Sequence, residues 1–233
     1  MSDIKTINTE LDKMTLKDEP ESSAEVASEP VPLIDVKSSP KVNVESPPLV
    51  DIRALSVEDR TKLIEGCQID IKVDSEAVHQ ILLRLLLAVS FRAQDLFTQD
   101  LAFAVLNVRH GVDKESVTAI FNWLENASSD GAMLLLPKTQ DLAIDLKLCR
   151  AADQLGMRPY TSHIMRGYWA YFKNRFPDYD EIDVVIDLAL GKKDPLILCT
   201  AKNLAKRQVS RRIPDWPVFR EYVGARPKLR FAM

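Results

Sequence analysis

Catalysis or metal binding needs ionisable or nucleophilic side chains at spacings that let them converge, and this chain of 233 residues scatters its candidates. His79, His110 and His163 stand thirty or more positions apart, with no HxxxH or HxH pair that one helix or strand would aim at a single ion. Cys67, Cys149 and Cys199 are odd in number and at least fifty positions apart. That is neither a zinc spacing nor a disulfide framework, so they read as small core fillers in a reduced, intracellular protein. Ser90 has a nucleophile's hydroxyl, but no strand–turn–helix elbow surrounds it or any other serine. The seven glycines stand singly, and Gly191-Lys192-Lys193 lacks the upstream glycine and the Ser/Thr of a phosphate-cradling loop. Asp178, Asp180, Glu181 and Asp183 lack the Gly-x5-Glu frame of a calcium loop, and just after Pro177 they suit the positive end of a following helix dipole. These readings predict no catalytic residue, no metal site and no cofactor.

Two features suit binding better than reaction. Tyr160, Tyr168, Trp169, Tyr171, Phe172 and Phe176 recur at helical spacing, so most of them read as core, while Trp169 or Tyr160 can line a partner groove. Residues 201–233 hold nine basic and two acidic residues, against net −5 in residues 51–200 and net −5 in residues 1–50. Lys202, Lys206, Arg207, Arg211 and Arg212 make up much of that basic pole. It fits a solvated helix face favoured by the dipole, a nuclear import signal, or contacts to phosphates. Lys206, Arg207, Arg211 and Arg212, with Trp169, are therefore the candidate partner-binding residues.

The elements that must position these groups follow from caps and periodicity. Ser56 suits a helix cap, and Gly66 ends that helix. Cys67 to Val73 alternates with period two, as a half-buried strand does. Asp74 or Ser75 is expected to cap a helix holding Ile81, Leu82, Leu85, Leu86 and Val89, apolar nearly all round and so central to the core. Phe103 to Val108 reads equally as a strand or a helix end. Asp113 caps a helix with Val117, Ile120, Phe121 and Leu124 on one face, and Ser128-Ser129-Asp130-Gly131 reads as a loop. Leu142, Leu146, Cys149, Ala152 and Leu155 form the next stripe, closed by Gly156. Pro159 opens a helix with Ile164, Tyr168 and Phe172, which Pro177 breaks. Ile182 to Leu190, Asp194-Pro195 to Ala205 and Pro217 to Val223 complete the helices.

The first fifty residues contain six of the thirteen prolines and neither an aromatic residue nor a glycine. Too little apolar surface is available there to offset an ordering cost of roughly 1–2 kcal/mol per residue. Residues 1–55 are thus expected to be a disordered acidic arm, with Ser39-Pro40 and Ser46-Pro47 as minimal sites for proline-directed kinases. Met1 is followed by acidic and polar residues, which predicts no signal peptide. The most apolar run, Ile81 to Val89, contains Arg84 and is far short of the roughly 20 residues of a membrane span.

The order of these motifs resembles a known family. The strand near Gln68 followed by Val78-His79-Gln80-Ile81-Leu82-Leu83 resembles the strand and "VHKxxL" helix that open a BTB/POZ domain. Leu106-Asn107-Val108 through Asp113 to Phe121-Asn122-Trp123-Leu124 resembles its third strand and the helix after it. Asp141-Leu142 through Ala151-Ala152-Asp153-Gln154-Leu155-Gly156-Met157 resembles its "LxxLYxLADxLGM" helix pair. Asn203-Leu204-Ala205, Ile213-Pro214-Asp215, Phe219, Tyr222, Pro227, Leu229 and Ala232-Met233 are similar to the ending of a fungal group of BTB-like proteins with a helical extension.

The resemblance implies an α+β fold, predominantly helical, in which helices surround a small sheet near residues 68–74 and 103–109. The stretch from Val73 to Val78 is expected to be too short for the family's full opening hairpin. A BTB/POZ-like domain would span residues 56–160, with a helical extension over 161–233 packed on it. The implied function is non-enzymatic adaptor or scaffold work inside the cell, cytoplasmic or nuclear, through protein partners. A second copy, joined by the opening strand and first helix, and a cullin-type ubiquitin ligase are the partners the family suggests. The alternative is a nuclear, nucleic-acid-associated protein using the basic C-terminal face. No membrane partner is expected.

Overall fold

Side-chain caps start most of the helices, and a two-residue turn makes the sheet. The computed structural model describes residues 49–99, 105–109, 111–129, 134–191 and 193–233. Residues 1–48, with Ser39 and Ser46, lie outside them, as do Phe103, Ala104, His110, Asp130, Gly131 and Lys192. Among the described residues there are three strands and ten α-helices, an α+β fold that is predominantly helical.

The Ser56 hydroxyl accepts the Asp59 N–H at 3.1 Å and opens α1 (Val57–Leu63). In β1 (Gln68–Val73), Ile69, Ile71 and Val73 turn into the core, as the alternation predicts. Asp74 and Ser75 both take positive φ, +52° and +70°, the backbone of a tight hairpin turn whose twist matches paired strands. β2 (Glu76–Leu82) therefore returns antiparallel on β1. This corrects two expectations: Asp74 and Ser75 cap no helix, and the hairpin is complete. Two residues reverse the chain when both accept a left-handed backbone, which Asp does more readily than most.

The helix expected from Asp74 starts only at Leu83. In α2 (Leu83–Val89) every residue from Leu85 to Val89 is buried, so its central place holds. α3 (Phe91–Gln99) leads to β3 (Val105–Val108), which pairs parallel with β1 and gives the sheet order β2-β1-β3. The ambiguous run is a strand from Val105 onward.

Asp113 Oδ2 accepts the Ser116 N–H at 2.9 Å and starts α4 (Lys114–Ser129), where Val117, Ile120, Phe121 and Leu124 are all buried. Ser128 and Ser129, expected in a loop, continue this helix. Their hydroxyls donate to Leu124 O at 2.8 Å and Glu125 O at 2.7 Å, and so find acceptors one turn back. α5 (Leu142–Gln154) is capped by Asp141, a 3₁₀ turn spans Arg158–Tyr160, and α6 (Ser162–Asn174) follows. α7 (Tyr179–Asp187) begins with a reciprocal capping box of Asp178 and Glu181, so that part of the acidic cluster serves a helix start as expected. Leu188 to Leu190 lie beyond its end. α8 (Pro195–Val209), α9 (Trp216–Gly224) and α10 (Pro227–Ala232) complete the chain. Sequence periodicity did not reveal α10, whose six residues are too few to show a repeat.

The fold begins earlier than residue 56. Val50 N–H donates to Ala88 O at 2.8 Å, Tyr160 O–H donates to Val50 O at 3.2 Å, and Ile52 is fully buried. A single apolar side chain in a polar context carries too little pattern to be read as core. One apolar cluster runs from the sheet through α2, α4 and α5 to Ile164, Tyr168 and Phe172 of α6 and Leu196 and Ile197 of α8. A second gathers Ile182 and Ile186 of α7, Leu204 of α8, Phe219 and Tyr222 of α9 and Leu229 of α10. Because α8 enters both, residues 161–233 pack continuously with the preceding chain.

The Asp183–Arg226 ion pair ties α7 to the start of α10, and Tyr222 O–H donates to Asp183 Oδ1 at 2.8 Å. The Arg226 hydrogen bonds hold the Asp183 carboxyl below its ordinary value against the opposing effect of burial. A carboxyl depressed in the fold stabilises above its unfolded value of about 3.9, and loses that contribution as pH falls through the folded value. Asp183→Asn should therefore melt below the native chain at pH 7. The gap should narrow progressively as thermal melts are taken from about pH 4 downward, through the depressed folded value; a gap that does not narrow would show that the pair is not the source.

Candidate functional site

α6 has two faces. Ile164, Tyr168 and Phe172, four residues apart, are buried in the first cluster. Ser162, Met165, Arg166 and Trp169 recur at i, i+3, i+4 and i+7 on the other side, where they line a cleft of about 520 Å³. Its remaining walls are Cys149, Arg150 and Asp153 from the end of α5, Arg158 and Thr161 around the 3₁₀ turn, and Leu190, Gly191, Lys193, Asp194, Pro195 and Leu196 from the α7–α8 connection and the first turn of α8.

The end of α5 is placed by close backbone approach. Gly156 sits at φ +73°, and a Cβ there would stand 2.8 Å from Arg92 N, so only glycine fits. Ser90 O–H donates to Leu155 O and Arg92 Nη1 to Gln154 O, each at 2.5 Å, which closes the helix end against the start of α3. The α7–α8 connection is placed by one carboxylate. Asp194 accepts N–H groups from Leu196 at 2.9 Å, Ile197 at 3.4 Å and Leu190 at 3.3 Å. It also accepts Arg150 Nη2 at 2.5 Å. Its side chain is 1% exposed and that of Arg150 15%, so a nearly dry ion pair joins α5 to the start of α8.

Arg150, Arg158, Arg166 and Lys193 face Asp153 and Asp194 around the cleft, a surplus of two positive charges within a segment that is net −5. Arg150 is matched by Asp194, while Asp153 Oδ1 stands 4.0 Å from Arg158 Nε, the outer edge of pairing. Arg166 Nε donates to Ser162 O at 3.3 Å, a backbone partner, and among the described residues no carboxylate pairs with it. Trp169 is 40% exposed and Leu190 57%, which leaves apolar surface open beside the cations.

Cys149, at the cleft wall, donates weakly to Thr161 O at 3.9 Å, and burial pushes its thiol up to about 11. A thiol rather than a thiolate is therefore present at neutral pH, and a thiol is a poor nucleophile. Burial also raises the Cys199 thiol, whereas Cys67, expected in the core, is exposed at the entry to β1. His163 Nε2 lies 2.9 Å from Leu136 O, which can only accept, so the imidazole holds a loop carbonyl in place. His79 stacks on Phe121 with ring centroids 5.5 Å apart. Among the described residues no three His, Cys, Asp or Glu side chains group as metal ligands.

The five residues singled out from the sequence do not share one surface. Trp169 lines the cleft, but Lys206, Arg207, Arg211 and Arg212 lie toward the other end of α8. At about 1.5 Å per residue, Arg207 is roughly 18 Å along the axis from Pro195. Lys206, Arg211 and Arg212 are exposed. Arg207 is instead partly packed: it donates to Asn174 O and Asn203 Oδ1, both at 3.0 Å, and lies over the Phe176 ring. It thereby satisfies a carbonyl at the negative end of α6. Tyr160 does not line this cleft: its ring is buried and its hydroxyl bonds Val50 and Ile52. Arg150, Arg158, Arg166, Lys193, Leu190 and Asp194 were missed. Of these only Arg166 had a signal in the sequence, the second period Ser162, Met165, Arg166, Trp169 on α6, of which Trp169 alone was singled out.

Comparison of the chain with protein-family models, curated proteins and solved structures finds no match. Among the described residues no helix is long and apolar enough to cross a membrane.

Removing one member of a buried ion pair leaves the other charge unpaired, at a cost of about 3–5 kcal/mol. Arg150→Ala and Asp194→Ala should each lower denaturant stability by that order, and the double variant should lose clearly less than the two together. Additive losses in urea melts would show that the pair is not coupled. Iodoacetamide at mildly alkaline pH should label the native chain at Cys67 alone and the urea-unfolded chain at all three cysteines, as read by peptide mass spectrometry. Rapid native labelling of Cys149 would contradict the elevated thiol.

Proposed function

We propose that this protein is a non-enzymatic protein-binding adaptor, a BTB/POZ-like domain with a C-terminal helical extension that works inside the cell. The carrying observation is the cleft: an exposed Trp169 and Leu190 flanked by Arg158, Arg166 and Lys193, with a protonated thiol at its wall. Tryptophan and arginine are the side chains that most often dominate protein–protein binding energy. A hydrolytic or transfer site would instead need an activated nucleophile beside its base. The small sheet, the Asp113-capped helix and the α5–Gly156 motif support the family resemblance. From that resemblance follow the proposed partner classes: other proteins, a second copy of the chain and a cullin-type ligase.

The rival reading, nucleic-acid association through Lys206, Arg211 and Arg212, makes an opposite prediction about salt. The full chain, immobilised and exposed to nuclease-treated extract, should retain a defined set of proteins at 200 mM salt. A Trp169→Ala/Leu190→Ala variant of unchanged melting temperature should lose that set. Binding that depends on nucleic acid, and falls by about 10³-fold or more between 50 and 200 mM salt, would return the rival reading.

A further inference from the structure

We infer that the cleft beside α6 receives an acidic peptide segment of a partner protein, one in which an aromatic or aliphatic side chain is flanked by carboxylates. This rests on the protein-binding reading above and specifies the partner's chemistry. Charge is the first argument. Residues 51–200 hold 22 acidic and 17 basic residues, yet four of those cations and only two of those anions line the cleft. A surface that runs against the charge of its own segment favours anionic occupants and rejects basic ones, because like charges brought together in a partly desolvated groove repel strongly.

The second argument is an unmet hydrogen bond. Among the described residues Arg150 Nε is buried with no acceptor, although Nη2 of the same guanidinium is bound to Asp194. A buried donor left without an acceptor is rare in folded proteins and calls for a partner. Arg150 lines the cleft, and with its charge already matched by Asp194, what a carboxylate entering there would add is acceptor oxygens for this guanidinium.

The third argument is the arrangement of apolar and charged groups. Trp169 and Leu190 lie on different elements, with Arg166 one turn before Trp169 on α6 and Lys193 three residues after Leu190. An apolar side chain seated between Trp169 and Leu190 is thereby offered cations from both of those elements, and Arg158 adds one from the 3₁₀ turn. The volume lies in the range of small-ligand pockets, but sites for free small molecules usually bury some 70–90% of the ligand. Walls of which Trp169 is 40% and Leu190 57% exposed suit a chain that passes through and leaves again.

A displayed library of random dodecamer peptides, selected on the full chain at about 150 mM salt, tests this. Enriched peptides should carry two or more Asp or Glu residues around an aromatic residue or Leu. Their affinity should fall by about tenfold or more for Trp169→Ala and for Arg158→Glu/Arg166→Glu. It should be unchanged for Arg211→Glu/Arg212→Glu. Melting temperatures of all variants should match the native chain, since the side chains replaced are exposed. Enriched peptides that are neutral or basic overturn the inference. Acidic peptides whose affinity survives the cleft replacements also overturn it, and leave the protein-binding reading standing. No enrichment at all, with single-stranded DNA bound in the same assay, overturns both.

Discussion

The cleft exists because one carboxylate is buried. Asp194 caps α8, accepts the Leu190 N–H that folds back the α7–α8 connection, and neutralises Arg150 on α5. Each bond alone is ordinary, but together they make the charge tolerable in a place where water scarcely reaches. A buried ion pair gains little over a well-packed apolar pair. Its service here is geometric: it ties α5 to the start of α8 and leaves a polar wall in the cleft. Arg150 remains under-satisfied at Nε, so the pair also leaves this wall with an unmet demand for an acceptor.

α6 is the other half of that construction. With 3.6 residues per turn, Ile164, Tyr168 and Phe172 fall on one side and Ser162, Met165, Arg166 and Trp169 on another. The buried side is anchored by more than apolar area. Tyr168 O–H donates at 2.7 Å to Asp145, a fully buried carboxylate that also accepts the Thr139 N–H at 2.8 Å and its hydroxyl at 2.9 Å. Burial, reinforced by this neighbouring carboxylate, pushes the Tyr168 phenol far above its ordinary value, so it stays a donor throughout the physiological range. This fixes the rotation of α6 about its axis, and the rotation in turn decides that Trp169 faces the cleft.

What could be read in the sequence was what depends on local pattern. The Val117, Ile120, Phe121, Leu124 face, the Asp113 and Ser56 caps and the period-two strand at Ile69, Ile71 and Val73 stand as expected. β2 was hidden because its apolar end, Ile81 and Leu82, runs without a break into the buried α2, and a short apolar run has no period to separate strand from helix. Ile52 was hidden because the hydroxyl its N–H bonds, that of Tyr160, is more than one hundred positions away. The cleft was hardly legible. Lys193 and Leu190 have no pattern of their own, and Arg158 and Arg166 become its neighbours only after the chain has turned at Gly156. Basic residues in sequence proximity, Lys206 to Arg212, lie toward the other end of α8 and beyond it, since closeness in sequence is not convergence in space.

The same separation between pattern and packing bears on which partners the domain can take. The family resemblance assigns self-association to the opening strand and first helix. β1 lies in the centre of the sheet, hydrogen-bonded to β2 on one side and β3 on the other, so its backbone has no open edge for a second copy. In α2, Leu85, Leu86, Leu87, Ala88 and Val89 are each at most 1% exposed, so the apolar area that a dimer would bury is already covered within one chain. A second copy would therefore engage surfaces other than the β1 backbone and the Leu85–Val89 stretch. Apolar surface does remain open on α6 at Trp169 and in the loop before α8 at Leu190. The proposed docking site thus lies where α5, α6 and α8 meet, with Trp169 and Leu190 beside Arg158, Arg166 and Lys193.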